Sequence, residues 1–132
     1  MNKYFILFVA ILWSTLCVSQ DRSEESRAMA WLAVVDAGHY TESWQQASGF
    51  FKQSVSSKQW AVALSQIRGP LWKVLSREVH HVTPYHSLPG APDGEYRVVT
   101  LTTRFEYKAS AIETVSLSNE KNKWVVAGYF IQ

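Results

Sequence analysis

The sequence predicts an α+β domain in which N-terminal helices pack on a curved antiparallel sheet of about four strands. Three observations lead there. From Glu95 to Gln132 apolar and polar residues alternate with the period of half-buried strands, broken by short polar turns. From Asp21 to Leu71 apolar residues recur at helical spacing behind capping signals. Between these stretches, Val79–Leu88 reads as one further strand and Pro89-Gly90-Ala91-Pro92-Asp93-Gly94 as a turn-rich loop.

Residues Met1–Ser19 precede the domain and have the layout of a secretory signal peptide. Lys3 supplies a basic start, Tyr4–Leu16 an apolar run, and Cys17-Val18-Ser19 small residues before Gln20. The run is too short for a membrane span. A lipoprotein signal wants a small residue where Leu16 stands, so simple cleavage is the expectation. The exported product is then a single domain, residues 20–132, in the periplasm or outside the cell. Cys17 is the chain's one cysteine, so no disulfide supports this domain and its stability must come from the core. The net charge is +2, with both signs interspersed, and carries no electrostatic footprint for nucleic acid. No later apolar run is long enough to cross a bilayer.

Taken in order, Asp21-Arg22-Ser23-Glu24 has the form of a helix start. Ala28, Trp31, Leu32 and Val35 make its apolar stripe, and Gly38 stops it. Asp36 falls in the last turn, where a negative charge opposes the helix dipole. It reads as a solvated residue or a tether to the next loop, with a carboxylate at a cavity mouth as the functional alternative. Thr41 caps a short second helix bearing Trp44, Ala47, Ser48 and Phe51 on one side, weakened by Gly49. Ser56-Ser57-Lys58-Gln59 is a capping box, flanked by Val55 and Trp60 in staple positions. Trp60, Ala63, Leu64, Ile67 and Leu71 form the stripe of this third helix, interrupted at Gly69-Pro70. Arg68 stands at that break. It either satisfies exposed carbonyls or binds an anion, Asp36 or Glu113 in the interior.

Pro84 removes a ladder donor and places the strand Val79–Leu88 at an edge. Three strands follow: Glu95–Tyr107, Ser110–Ser118 and Lys123–Ile131. In the first, Val99, Leu101, Phe105 and Tyr107 share one phase, while Tyr96 and Val98 take the other, which predicts a bulge near Val98–Val99. The last is apolar on both phases, with Trp124, Val126 and Phe130 against Val125, Ala127, Tyr129 and Ile131. Such a strand is central or covered by a partner.

A four-residue turn Asn119-Glu120-Lys121-Asn122 places Glu113 opposite Gly128, on the apolar face of Val115, Leu117, Trp124 and Phe130. A carboxylate there needs a cation, hydrogen bonds or a proton. A two-residue turn at Lys108-Ala109 puts Arg104 opposite Glu113 as a cross-strand ion pair, the favoured reading. The functional alternative is a general acid or base in a cavity, with Gly128 leaving room above it.

Phosphate loops, dinucleotide glycine patterns, metalloprotease helices and nucleophile elbows are absent from the sequence. His80 and His81 point to opposite faces of a strand and do not chelate together; His80 and His86 share a face but lie far apart along it. No metal site or cofactor is expected. Trp31, Trp44 and Trp60 sit on helical stripes and read as core, whereas Trp72 lies off them and reads as an exposed partner or ligand surface. No catalytic residue is assigned. Glu113, Arg68, Asp36, Arg104 and Tyr129 are the candidate ligand-binding residues.

A resemblance runs through nearly the whole domain, in order. Ala30-Trp31-Leu32, Val35-Asp36-Ala37-Gly38, Tyr40, Trp44, Gln59-Trp60, Arg68 with Pro70-Leu71, Leu88 through Tyr96, Glu113-Thr114-Val115, Trp124 and Gly128-Tyr129 resemble the bacterial secreted family called domain of unknown function 4019. The Pro-Gly-Ala-Pro-Asp-Gly loop is the most specific part. The resemblance implies an exported bacterial protein with no assigned activity. The family usually has a glycine after its Pro-Leu pair. Trp72 stands there in this chain, so the local turn and its surface are expected to differ. The order of helices then curved sheet is also similar to cystatin-like cones of the nuclear-transport-factor-2 type, a superfold that hosts isomerases, dehydratases and non-catalytic dimerising domains.

Three functions compete. The first is a non-enzymatic module that pairs with itself, or with an envelope protein, through the sheet face the helices leave bare. The second is a binder of a small apolar ligand between helices and sheet. The third is an isomerase or lyase with Glu113 or Asp36 as base and a tyrosine or Arg68 as electrophile.

Overall fold

The computed structural model describes residues 20–132, with side chains from residue 24 onward. The expected signal peptide lies outside the described residues. Four helices, α1 (Gln20–Asp36), α2 (Tyr40–Gln45), α3 (Gly49–Ser54) and α4 (Ser57–Arg68), lead through a 3₁₀ turn, Gly69–Leu71, into four strands. These are β1 (Val74–Tyr85), β2 (Tyr96–Phe105), β3 (Lys108–Glu120) and β4 (Lys123–Ile131). They form one antiparallel sheet in the order β1-β2-β3-β4. The expected α+β architecture is therefore the observed one.

The helices end where their sequences stop them. Gly38 adopts a φ of +79°, and the N–H groups of Gly38 and His39 close back onto the carbonyls of Val35 and Val34. That pair of bonds satisfies the last turn of α1. The Ser56–Gln59 capping box opens α4 with both reciprocal bonds formed. The single second helix expected from Thr41 is instead two short ones. Ser48 caps α3 through the Phe51 N–H, so Gly49 begins a helix rather than weakening one.

The stripe Ala28, Trp31, Leu32 and Val35 meets Trp60 and Leu64 of α4 and Val99, Leu101, Val115, Leu117 and Val126 of the sheet. Ser43, fully buried, accepts the indole N–H of Trp31 at its carbonyl and that of Trp60 at its hydroxyl, at 2.9 and 3.0 Å. Phe51 packs edge-on against Trp60, and Tyr129 against Trp31. Ile67, expected on the α4 stripe, is exposed; the buried line is Trp60, Leu64 and Arg68, spaced four apart along one face.

The hairpin turns differ from expectation, and they reset the register. Lys121 and Asn122 both take positive φ, 51° and 64°, so β3 and β4 are joined by a two-residue turn whose hand suits a twisted hairpin. The β2–β3 turn is Glu106-Tyr107, not Lys108-Ala109, because the Glu106 and Tyr107 N–H groups bond the Lys73 and Leu71 carbonyls of the incoming chain. Leu101 and Ile131 therefore flank Glu113, rather than Arg104 and Gly128. Arg104 is exposed on the other phase, opposite Ser76.

A bulge at Ala127 shifts β4 by one residue, since Ser116 pairs with Gly128 and Leu117 with Val126. Val126 and Tyr129 thus both face the helices, while Phe130 turns outward and is 52% exposed. No bulge interrupts β2 at Val98–Val99; Tyr96 and Val98 simply lie on the outer face. Strand β1 starts at Val74, five residues earlier than expected. Pro84 lies on an edge strand, as expected.

Candidate functional site

The new register gathers one side chain from each of α1, α4 and the four strands. Asp36 is the last residue of α1, and Arg68 the last of α4. Arg77 of β1 pairs with Thr103 of β2, so both point inward beside Glu113 of β3. Tyr129 of β4 joins them because the Ala127 bulge turned it to that face.

Glu113 is fully buried, and both of its oxygens are occupied. Its Oε1 accepts from Arg77 Nε at 2.7 Å and Thr103 Oγ1 at 2.5 Å, and its Oε2 accepts from the Tyr129 hydroxyl. Arg77 turns its other two nitrogens onto Asp36, Nη1 to Oδ2 at 2.6 Å and Nη2 to Oδ1 at 3.0 Å. Arg68 Nη2 reaches the same Asp36 Oδ1 at 2.6 Å, and its guanidinium lies 5.0 Å from the centre of the Phe105 ring. Two carboxylates and two guanidinia thus neutralise one another in a buried chain of charge-assisted bonds.

The surroundings of Asp36, Tyr129 and Arg77 each favour one protonation state. Burial pushes the Asp36 carboxyl up, but hydrogen bonds and charge from Arg77 and Arg68 outweigh it and hold the carboxyl below its ordinary range. Burial, reinforced by the neighbouring Glu113 carboxylate, raises the Tyr129 phenol far above its usual range. Tyr129 therefore remains a hydrogen-bond donor. Burial lowers the Arg77 guanidinium, but its bonds to Asp36 and Glu113 more than reverse that and keep it charged.

Of the sequence candidates, Asp36, Arg68, Glu113 and Tyr129 come together and Arg104 stays outside. Arg68 holds Asp36, one of the partners expected for it. Arg77 and Thr103 were missed. Arg77 lay before the expected start of β1, although it shares the inward phase of Val79, two residues on. His80 and His81, expected on opposite faces, have ring centres 4.1 Å apart, because β1 is irregular between Val79 and His81. Among the described residues no three potential metal ligands cluster.

Residues 27–129 match a family described as protein of unknown function, DUF4019. The chain belongs to the DUF4019 family. Among curated proteins no relative matches. All six residues of the ionic network lie inside the matched span of this DUF4019 domain. On the far side of its sheet, Phe50, Tyr85, Pro89, Tyr96, Val98 and Phe130 border an open groove of about 510 Å³.

Proposed function

We propose that this DUF4019 protein is a non-catalytic, exported module that pairs with a second copy of itself through the outer face of its sheet. The observation that carries the reading is the make-up of that face. Across the strands its rows run His81, Thr100, Thr114, Phe130; then Thr83, Val98, Ser116, Gly128; then Tyr85, Tyr96, Ser118, Val125. These three rows contain no Asp, Glu, Lys or Arg; the next row, Glu78, Thr102 and Ile112, carries an acid on the edge strand, with Arg104 beyond it opposite Ser76. Tyr85, Ile112 and Phe130 are 43%, 45% and 52% exposed. Depletion of charge at the centre with aromatic residues present is the composition of an interface core. A two-fold contact centred on these rows sets like beside like, which their lack of charge tolerates.

Two features speak against the other functions. Glu113 is fully buried and already accepts three hydrogen bonds, one of them from a guanidinium, which leaves it poorly placed to act as a base. The space between helices and sheet is occupied by Trp31, Trp60, Phe51 and Tyr129. Edge-to-edge pairing through β1 is also disfavoured, by Pro84 and by register shifts at both Val74–Ser76 and Val79–His81. Helices followed by an antiparallel meander support membership of the nuclear-transport-factor-2 type of cone, a superfold that hosts non-catalytic dimerising domains among other functions.

Sedimentation equilibrium of residues 20–132 tests the proposal. A dimer at micromolar concentration is expected, dissociated by Phe130→Glu with the far-UV circular dichroism unchanged. A monomer throughout the micromolar range refutes it. The groove beside Phe130 supports a second reading, an apolar ligand seated on that face. A monomer that carries a reproducible small adduct in native mass spectrometry would select this reading.

A further inference from the structure

A different surface, at the end of the sheet where α4 delivers the chain to β1, has no role in that pairing. Trp72 leaves the 3₁₀ turn with φ 62° and ψ −140°. That backbone is close to a region populated essentially by glycine, so a bulky residue is held there under strain. Burial does not offset the cost, since Trp72 is 62% exposed. Its ring meets Tyr107 edge-on at 5.7 Å, and Tyr107 is itself 68% exposed at the β2–β3 turn. Leu75, three residues on from Trp72 and the extra residue in the β1 irregularity between Val74 and Ser76, is 52% exposed. Two backbone distortions thus turn apolar side chains into solvent at one end of the domain.

Basic residues flank this patch. Lys73 follows Trp72 and its carbonyl binds the Glu106 N–H; Lys108 pairs with Phe105; Arg104 lies opposite Ser76. Two acids stand against these three cations, Glu106 at the turn and Glu78 two residues beyond Ser76 on the same face of β1. Trp and Tyr favour the boundary between water and lipid, and flanking basic residues are drawn to anionic headgroups.

We propose that the Trp72–Tyr107–Leu75 tip docks the domain on an anionic lipid bilayer, with the aromatic rings at headgroup depth and Lys73, Lys108 and Arg104 against the lipid phosphates. The observations favour lipid over a protein partner because the apolar groups sit on turns at the sheet's end, with cations around them. A protein interface would instead present a charge-depleted centre, as the outer sheet face does. This inference does not depend on the pairing proposal.

Co-sedimentation with vesicles tests it, using residues 20–132, which contain every helix and strand described. Vesicles of equal parts phosphatidylglycerol and phosphatidylethanolamine should capture the protein, and vesicles of phosphatidylcholine alone should capture roughly tenfold less or lower still. Trp72→Gly suits the local backbone, so the variant should fold, and its partitioning should fall by about tenfold. Lys73→Glu should weaken binding at least about fivefold at low salt and have less effect at high salt. Failure of the wild-type protein to partition onto the anionic vesicles overturns the proposal. So does a Trp72→Gly variant that binds like wild type. Self-association that Trp72→Gly abolishes, without vesicle binding, would overturn it as well and assign the tip to a protein contact.

Discussion

Replacing Arg77 with Met tests whether the buried ionic network holds the helices to the sheet. The substitution preserves an apolar stem and removes every bond Arg77 makes. Asp36 loses two of its three bonds and keeps Arg68. Glu113 keeps Thr103 and Tyr129 as neutral donors but loses its cation, at 0% exposure. Removing one partner of a buried ion pair costs about 3–5 kcal/mol, chiefly because the other charge stays behind. The remaining donors place this case near the lower end, about 3 kcal/mol. For a domain of this size that lowers the melting temperature by roughly 10–20 °C. Urea titrations followed by far-UV circular dichroism give the free energy, with m-values checked for equality. A double variant, Arg77→Met with Glu113→Gln, removes the stranded charge and should recover about 1–2 kcal/mol of the loss. A single-variant cost below about 1 kcal/mol, or a double variant that simply adds the two losses, would refute the reasoning.

The acid limb of stability should report Asp36. Its folded-state value lies below its ordinary value of 3.8, so the unfolded chain binds more protons as pH falls through that range. The contribution is complete above the unfolded value and is lost as pH drops through the folded one. Asp36→Asn should therefore be less stable than wild type at neutral pH, with a flatter decline in acid; parallel urea midpoints from pH 7 down to about 2 would contradict this. At the β3–β4 turn, Asn122 sits at φ 64° behind Lys121 at φ 51°. Asn122→Gly relieves the second position and should stabilise the hairpin by up to about 0.5–1 kcal/mol, read from the same titrations. A loss of stability there would argue against a turn with both central residues left-handed.

The helical layer was legible because its signals are local. The capping box at Ser56, the stop at Gly38 and the stripe from Ala28 to Val35 each depend on residues within a turn or two of one another. The sheet was legible in its strands but not in its register. The turn, two residues shorter, slid the pairing along the strands without exchanging faces, while the one extra residue at Ala127 turned Tyr129 into the network and Phe130 out of it, since strand side chains alternate and a slip of one exchanges the faces. The isolated carboxylate at Glu113 was visible as a charge in need of a partner. Its cation was not, because Arg77 lies 36 positions away on a strand whose first five residues carry no clear alternation.

The network's position argues for what it does. The apolar core between α1, α4 and the sheet is non-directional, and contacts among Leu, Val and Trp side chains fix neither the sliding nor the rotation of a helix with much precision. Both helices end at the network, in Asp36 and Arg68, and all four strands reach it. Bidentate and charge-assisted bonds have narrow geometry, so they set where the two helix ends stand on the sheet. The charge-poor centre of the outer sheet face and the aromatic, basic tip at Trp72 are separate parts of the surface of that fixed frame. A pair joined face to face carries a tip on each copy, and two such tips on one bilayer bind more strongly than either alone. Dimerisation and lipid binding should therefore reinforce each other if the two-fold axis lets both tips reach the same membrane.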